Sequence, residues 1–190
     1  MVPARARGSV VTPRLDPVVS TPRLRLELIG PDEAAGMLAG RRKSSWHPDY
    51  PRRDDLDAVS MIAKASPGGP APDLSWSPRH VVRAFDGLVM GSIGFFGPPS
   101  PAADGVLEAE IGYGLVEEAR GHGVATEAVT GLLAHTDRLG VRVRASVAPD
   151  NTASVRVLAK CGFTQLRGSD EDGNLVMARP LPSAAVKVEA

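Results

Sequence analysis

Apolar residues recur with a period of two in several short stretches and with a period near 3.6 in others, and the two rhythms alternate along the chain. "PRLRLELIG" sets Leu24, Leu26 and Leu28 against Arg23, Arg25 and Glu27, which predicts a half-buried strand. "GPDEAAGMLAG" opens with Pro31 and two acids and closes at Gly40, the signs of a short helix. "DDLDAVSMIAKAS" puts Leu56, Val59, Ile62 and Ala63 on one helical face. "RHVVRAF" and "LVMGSIGFF" read as strands joined at "DG", a hairpin signal, and "VLEAEIGYGL" as the next strand. A longer helix follows to about Leu139, with Val124, Ala128, Leu132, Thr136 and Leu139 near one face and Gly140 at its end. "VRVRASV" alternates again. "PDNTASVRVLAKCGF" has a polar start and ends where Gly162 suits a left-handed cap. "TQLRG" and "NLVMARP" form a last hairpin across "DEDG".

The predicted order is β-α-α-β-β-β-α-β-α-β-β, a mixed sheet with helices packed on it. It makes one α/β domain over residues 20–181. Residues 1–19 carry prolines and arginines without a period and are expected to form a loose tail, and 182–190 a second one. "RRKSSWHPDYPRRD" and "SPGGPAPDLSWSP" break every period and read as loops.

Composition narrows the chemistry. The chain has 190 residues, 43% of them apolar, and a formal net charge of zero. That is an ordinary globular chain, with no global attraction to nucleic acid or an anionic membrane. No run of about 18 apolar residues exists, so no membrane span is expected, and the basic start lacks the apolar core of a signal peptide. Cys161 is the only cysteine, so no internal disulfide forms, which fits a cytoplasmic location. The four histidines show no ligand spacing, so no metal is expected.

Residues 117–129, "EEARGHGVATEAV", place two glycines and Arg120 at the start of the longer helix. A helix start presents unpaired N–H groups and partial positive charge. Glycines let a ligand approach them, and an arginine fork suits phosphate. The corner lacks the Lys-Ser/Thr of a P-loop, and Thr126 stands where a dinucleotide fingerprint needs its third glycine. From spacing alone, an anion cradle and a structural turn both fit.

The wider context carries a resemblance. "RGHGVA" fits [QR]-x-x-G-x-[GA], the acetyl-CoA loop of the GNAT N-acetyltransferase superfamily. "AEIGYGLVEEARGHGVATEAVTGLLAH" followed by "VAPDNTASVRVLAKCGF", with the opening "TPRLRLELIGPDEA", resembles the RimJ/RimL-like branch, the ribosomal-protein N-terminal acetyltransferases. The resemblance covers about residues 20–180 and is specific over 109–163. It implies the GNAT fold, a mixed, mostly antiparallel central sheet with helices on both faces. It also implies an acetyl-CoA co-substrate and an N-acetyltransferase acting by direct attack in a ternary complex. Arg120, Gly121, His122, Gly123, Val124, Ala125 and Thr126 would hold the pyrophosphate and adjoining pantetheine. Pantetheine would pair with backbone around Leu115 and Val116. Asn151 and Ser154 would approach the thioester.

The attacking amine must be neutral. At pH 7 freeing a lysine amine costs roughly 4–5 kcal/mol, against about 1–1.5 for an α-amine, so a carboxylate acting through water suffices for a protein N-terminus. Period two puts Leu107, Ala109, Ile111, Tyr113 and Leu115 on one face of their strand and Glu108, Glu110, Gly112 and Gly114 on the other. Read alone, that second face could be merely solvated; the resemblance favours Glu110 as base. Many relatives carry a tyrosine acid where this chain has Leu158, which leaves Ser154 as the candidate to protonate the thiolate. Asn151 and Ser154 also read as plain helix capping, and Tyr113 and Cys161 as core packing. Trp46, His47 and Tyr50 in "SSWHPDYP" could select the acceptor or pin a proline-rich loop, with Asp49, Asp54 and Asp55 near enough to draw a cation. The acceptor is expected to be a protein N-terminus or a small amine such as an antibiotic. A non-catalytic acyl-CoA-binding module and a homodimer stay open.

Overall fold

The structure, a computed structural model, describes residues 12–63 and 73–182. The chain ends expected as tails (1–11, 183–190) and most of the Gly/Pro connector (64–72) lie outside those residues. The strands are β1 (Val18–Ser20), β2 (Leu24–Leu28), β3 (Arg79–Arg83), β4 (Val89–Phe95), β5 (Ser100–Pro101), β6 (Leu107–Leu115), β7 (Arg142–Val147), β8 (Gln165–Ser169) and β9 (Leu175–Arg179). The helices are α1 (Pro31–Leu38), α2 (Arg53–Ala63), α3 (Val124–Arg138) and α4 (Thr152–Lys160). Every element of the expected order is present. The short strands β1 and β5 are additions, three and two residues long, too brief for a period to reveal.

The sheet runs β1-β2-β3-β4-β6-β7-β9-β8, with β5 pairing β6. The pair β6/β7 is parallel and the other pairs are antiparallel, because only α3 makes a crossover between paired neighbours. The core takes the alternate positions of the strands, Leu24 and Leu26, Val143, Ala145 and Val147, and the inner face of α3 from Val124 to Thr136. On that face Gly131 lies so close to Thr21 that an added Cβ would stand 2.7 Å from its methyl carbon, so helix and sheet pack tightly there.

The loose tail expected before residue 20 is a correction. Leu15 and Val19 are buried, and β1 pairs with β2 from Val18 to Ser20. Two side chains fasten the preceding segment. The Trp76 indole donates to the Pro13 carbonyl at 2.7 Å. Arg79, fully buried, donates to Pro17 O at 2.9 Å and Ser75 O at 2.7 Å. Burial pushes the Arg79 guanidinium down to about 10, and Asp16 opposes the shift. The acceptors are backbone carbonyls, which side-chain periodicity cannot reveal.

Candidate functional site

β6 and β7 pair over only three registers, Glu108–Arg142, Ala109–Val143 and Glu110–Arg144. Beyond them β6 keeps β4 as its partner as far as Leu115, and β7 keeps β9 as far as Val147. The sheet therefore splits. Val116 N–H bonds Met90 O at 2.9 Å, which fixes the alternation of the β4–β6 ladder. By that alternation the C=O of Ile111 and the N–H and C=O groups of Tyr113 and Leu115 point away from β4, into the split, while the Ile111 N–H completes the last register with β7. Such an edge is a template for any ligand built of amides. Leu115 thus faces the gap, whereas the Val116 N–H is already taken by β4.

Charges clamp the closed end of the split. Arg142 donates to Asp104 and Glu108, and Arg167 to Glu108 at 2.7 Å. Burial works against the Glu108 carboxylate, but the two guanidiniums outweigh it and hold it below the usual range. Glu110 pairs with Arg144 at 2.8 Å at the last shared register.

A cavity of about 500 Å³ fills the split, within the usual range of small-ligand sites. It is lined from both faces of the sheet. Asp54, Asp55 and Asp57 of α2 stand on one side, and Tyr113, Asn151, Ser154 and Leu158 on the other. Gly112 and Gly114 belong to the first side. A Cβ at Gly112 would meet the Phe96 ring at 2.9 Å, and one at Gly114 the Arg52 guanidinium at 2.0 Å. The space left by these glycines is filled in this structure by those two side chains. Arg52 also donates to Leu115 O at 3.1 Å, and Arg120 Nε to the same oxygen at 3.2 Å. Asp55, 1% exposed, accepts from Ser92 Oγ at 2.5 Å and from Arg52 N–H at 2.8 Å, which caps α2.

The corner follows directly from β6. Gly121 and Gly123 have φ of +79° and +74°, a conformation that other residues resist. Gly123 is the N-cap of α3 and offers no side-chain cap. Among the described residues, none of the N–H groups from Gly121 to Thr126 meets a protein acceptor in hydrogen-bonding geometry. Six unpaired donors at the positive end of a 15-residue helix form an anion cradle. Its backbone is held from behind. Glu127 Oε1 accepts from Thr21 Oγ1 at 2.6 Å and Arg23 N–H at 2.8 Å, and Arg23 reaches His122 O at 3.1 Å. The side chain of Glu127 is therefore unavailable to repel an anion.

At α4, Asn151 accepts from Ser154 N–H at 3.1 Å, the capping bond expected of it. Both residues also line the cavity. Tyr113 departs from expectation. Its face is the one that packs against α4, but the split opens that face to the cavity. Its hydroxyl donates to Ser154 O at 3.3 Å, and burial pushes its ionisation up to about 12. Period two placed the residue on the correct face; what that face meets depends on the divergence of β7, which no local pattern encodes.

Of the two readings of Trp46, His47 and Tyr50, acceptor selection or a pinned loop, the second fits, since none of the three lines this cavity. All three are buried. Trp46, Tyr50 and His80 pack with ring centroids 5.4–5.8 Å apart, and Tyr50 Oη lies 2.8 Å from His80 Nδ1. The loop is pinned, and it is the segment after it, from Asp54 on, that lines the cavity. His47 pairs with Glu118 at 2.9 Å beside a second, apolar cavity under the β3–β4 hairpin. Arg52 and Phe96 gave no sequence signal; only Gly112 and Gly114, small residues in a strand, hinted that something lies there.

Comparison with known proteins identifies the family. The acetyltransferase (GNAT) domain family matches residues 23–164. The chain belongs to the GNAT family and is an acetyltransferase. No curated protein sequence matches it. Among solved structures, a Bordetella pertussis chain assigned to the GNAT-family acetyltransferases is 25% identical, covering 87% of this chain and all of its own, with a TM-score of 0.58. Ribosomal-protein-S5-alanine acetyltransferase from Vibrio fischeri is 16% identical, over 88% of this chain and 98% of its own, TM-score 0.58. RimL, the ribosomal L7/L12 α-N-protein acetyltransferase, solved with coenzyme A, is 18% identical, over 86% and 98%, TM-score 0.54. No helix of the described residues is long and apolar enough to cross a membrane, and among them no group of side chains could hold a metal ion.

Proposed function

We propose that the chain transfers the acetyl group of acetyl-CoA to a primary amine by direct attack in a ternary complex. The observation that carries this reading is the split between β6 and β7 lying beside six unpaired N–H groups at the start of α3. The pyrophosphate rests on Gly121–Thr126 with Arg120 beside it. The pantetheine amides pair with the free edge of β6 at Leu115, taking over the bonds that Arg52 and Arg120 now make. The thioester then lies near Asn151 and Ser154. The acceptor enters from the α2 side of the passage and the cofactor from the α4 side.

The amine nitrogen bonds to the thioester carbon, the carbon–sulfur bond breaks, and the amine gives up a proton. Glu110 accepts that proton through water, held in place by Arg144. Ser154 serves the sulfur side. The acceptor is a protein N-terminus, in keeping with the likeness in fold to RimL and the S5-alanine enzyme. Asp54, Asp55 and Asp57 along the cavity support a second reading, a small cationic amine. No nucleic acid or membrane takes part, and the protein works in the cytoplasm.

Thiol release from acetyl-CoA with a panel of N-terminal peptides and small amines tests this. Turnover with one class and a drop of about tenfold or more in kcat for Glu110→Gln are expected. Coenzyme A binding without turnover on any amine would leave a binding module instead.

A further inference from the structure

The amide-forming step leaves negative charge on sulfur, and a donor that meets that charge only as the bond breaks lowers the barrier. On its α4 side the cavity offers three donors, the Asn151 amide, the Ser154 hydroxyl and the Tyr113 hydroxyl; Asn151 is tethered through its oxygen to the Ser154 N–H, and Leu158 is apolar. Tyr113 projects from the middle of the free β6 edge, between Ile111 and Leu115, and so lies alongside the path assigned to pantetheine. Its one partner is the Ser154 carbonyl at 3.3 Å, a long bond for a phenol, so the hydroxyl can turn to a stronger acceptor at little cost. The ring is wedged between strand and helix, which fixes where the hydroxyl ends.

We propose that the Tyr113 hydroxyl donates a hydrogen bond to the departing thiolate of coenzyme A, an inference that rests on the acetyl-transfer reading of the cavity. The sulfur keeps the electron pair of the broken carbon–sulfur bond. Tyr113 stabilises it without losing its own proton, and the proton released by the amine reaches the sulfur through solvent. Donation rather than full transfer follows from the chemistry. A phenol raised to about 12 by burial stays protonated through the working range, and a thiolate, whose conjugate thiol is the stronger acid, is too weak a base to take that proton. A buried, neutral donor is what such stabilisation needs.

The chain has two tyrosines, Tyr50 and Tyr113, so labelling tyrosine with ¹³C at Cζ yields two resonances, assigned with Tyr50→Phe or Tyr113→Phe. Coenzyme A and desulfo-coenzyme A, which lacks the sulfur, are titrated into the whole protein at steps from pH 7 to pH 10, the range over which a thiol ionises. The expected result is a shift of the Tyr113 resonance with coenzyme A that desulfo-coenzyme A at saturation does not reproduce. In turnover assays Tyr113→Phe lowers kcat about 10- to 100-fold and leaves coenzyme A affinity within about twofold. Equal responses to the two ligands, or an unchanged kcat in Tyr113→Phe, overturn the proposal while the acetyl-transfer reading stands. Failure of both ligands to bind overturns both readings.

Discussion

Arg23 Nε stands 2.6 Å from Glu127 Oε2, an ion pair between residues 104 positions apart. It fastens the turn between β1 and β2 to the first turn of α3, directly behind the glycine corner. Glu127→Gln should therefore soften the cradle. We expect a rise of about five- to tenfold in the Michaelis constant for acetyl-CoA with kcat little changed, the pattern of lost uniform binding. The same residue predicts a pH effect. Burial opposes the carboxylate, but bonds from Thr21 and Arg23 outweigh it and set it below its ordinary value of 4.5. A depressed carboxylate contributes stability that is full above the unfolded value and is lost as pH falls through the folded one. Thermal unfolding between pH 6 and 3 should fall more steeply in the wild type than in Glu127→Gln.

Gly123→Ala tests the corner without adding bulk to the cradle. The nearest atom to a new Cβ is an Arg23 nitrogen at 3.6 Å, an ordinary contact, so the effect comes from a φ of +74°. The left-handed conformation costs a non-glycine residue roughly 1–2 kcal/mol. Calorimetric titration should show coenzyme A binding about tenfold weaker, with the circular dichroism spectrum unchanged.

Gly114→Val probes the other side of the passage. The obstacle to its side chain is the Arg52 guanidinium, the end of a flexible chain, so the fold should survive. The displaced Arg52 and the new methyl groups narrow the split. The Michaelis constant for acetyl-CoA should rise severalfold; an unchanged value would place the cofactor elsewhere.

His80 predicts acid sensitivity of a different origin. It is buried, with Nδ1 against Tyr50 Oη, and its Nε2 lies 3.2 Å from Glu33 Oε1 out of hydrogen-bond alignment. Burial lowers its protonation and Glu33 only partly offsets this. Below the ordinary value of 6.5 the unfolded chain binds a proton that the folded one does not, so stability declines as pH falls from 7 toward 5. His80→Asn retains a partner for Tyr50 and should flatten that decline in denaturant midpoints.

The strands and helices were legible because each buries one face and writes that face as a period. Leu24 and Leu26, or Val143, Ala145 and Val147, needed no tertiary information. The corner was legible as a candidate because Gly121 and Gly123 are needed by the backbone itself. What stayed hidden depends on relations between distant segments. Whether Trp46 and Tyr50 select an acceptor or pin their loop could not be read locally, because the His80 side chain that completes their cluster comes from β3. Tyr113 looked like core until β7 was seen to turn away from it. Arg52 and Phe96 reach Gly114 and Gly112 by virtue of where their loops end, and nothing in their own neighbourhoods announces it.

The strap formed by Trp76 and Arg79 has a practical bearing on how the chain can be cut. Boundaries drawn from the family match would begin at residue 23, and a protein shortened to that point loses both the Pro13 and Pro17 carbonyls. The Arg79 guanidinium would then keep one protein acceptor, Ser75 O, and the Trp76 indole none. Trimming the leader thus acts as a mutation of the interior, and the smallest unit worth expressing starts before Pro13.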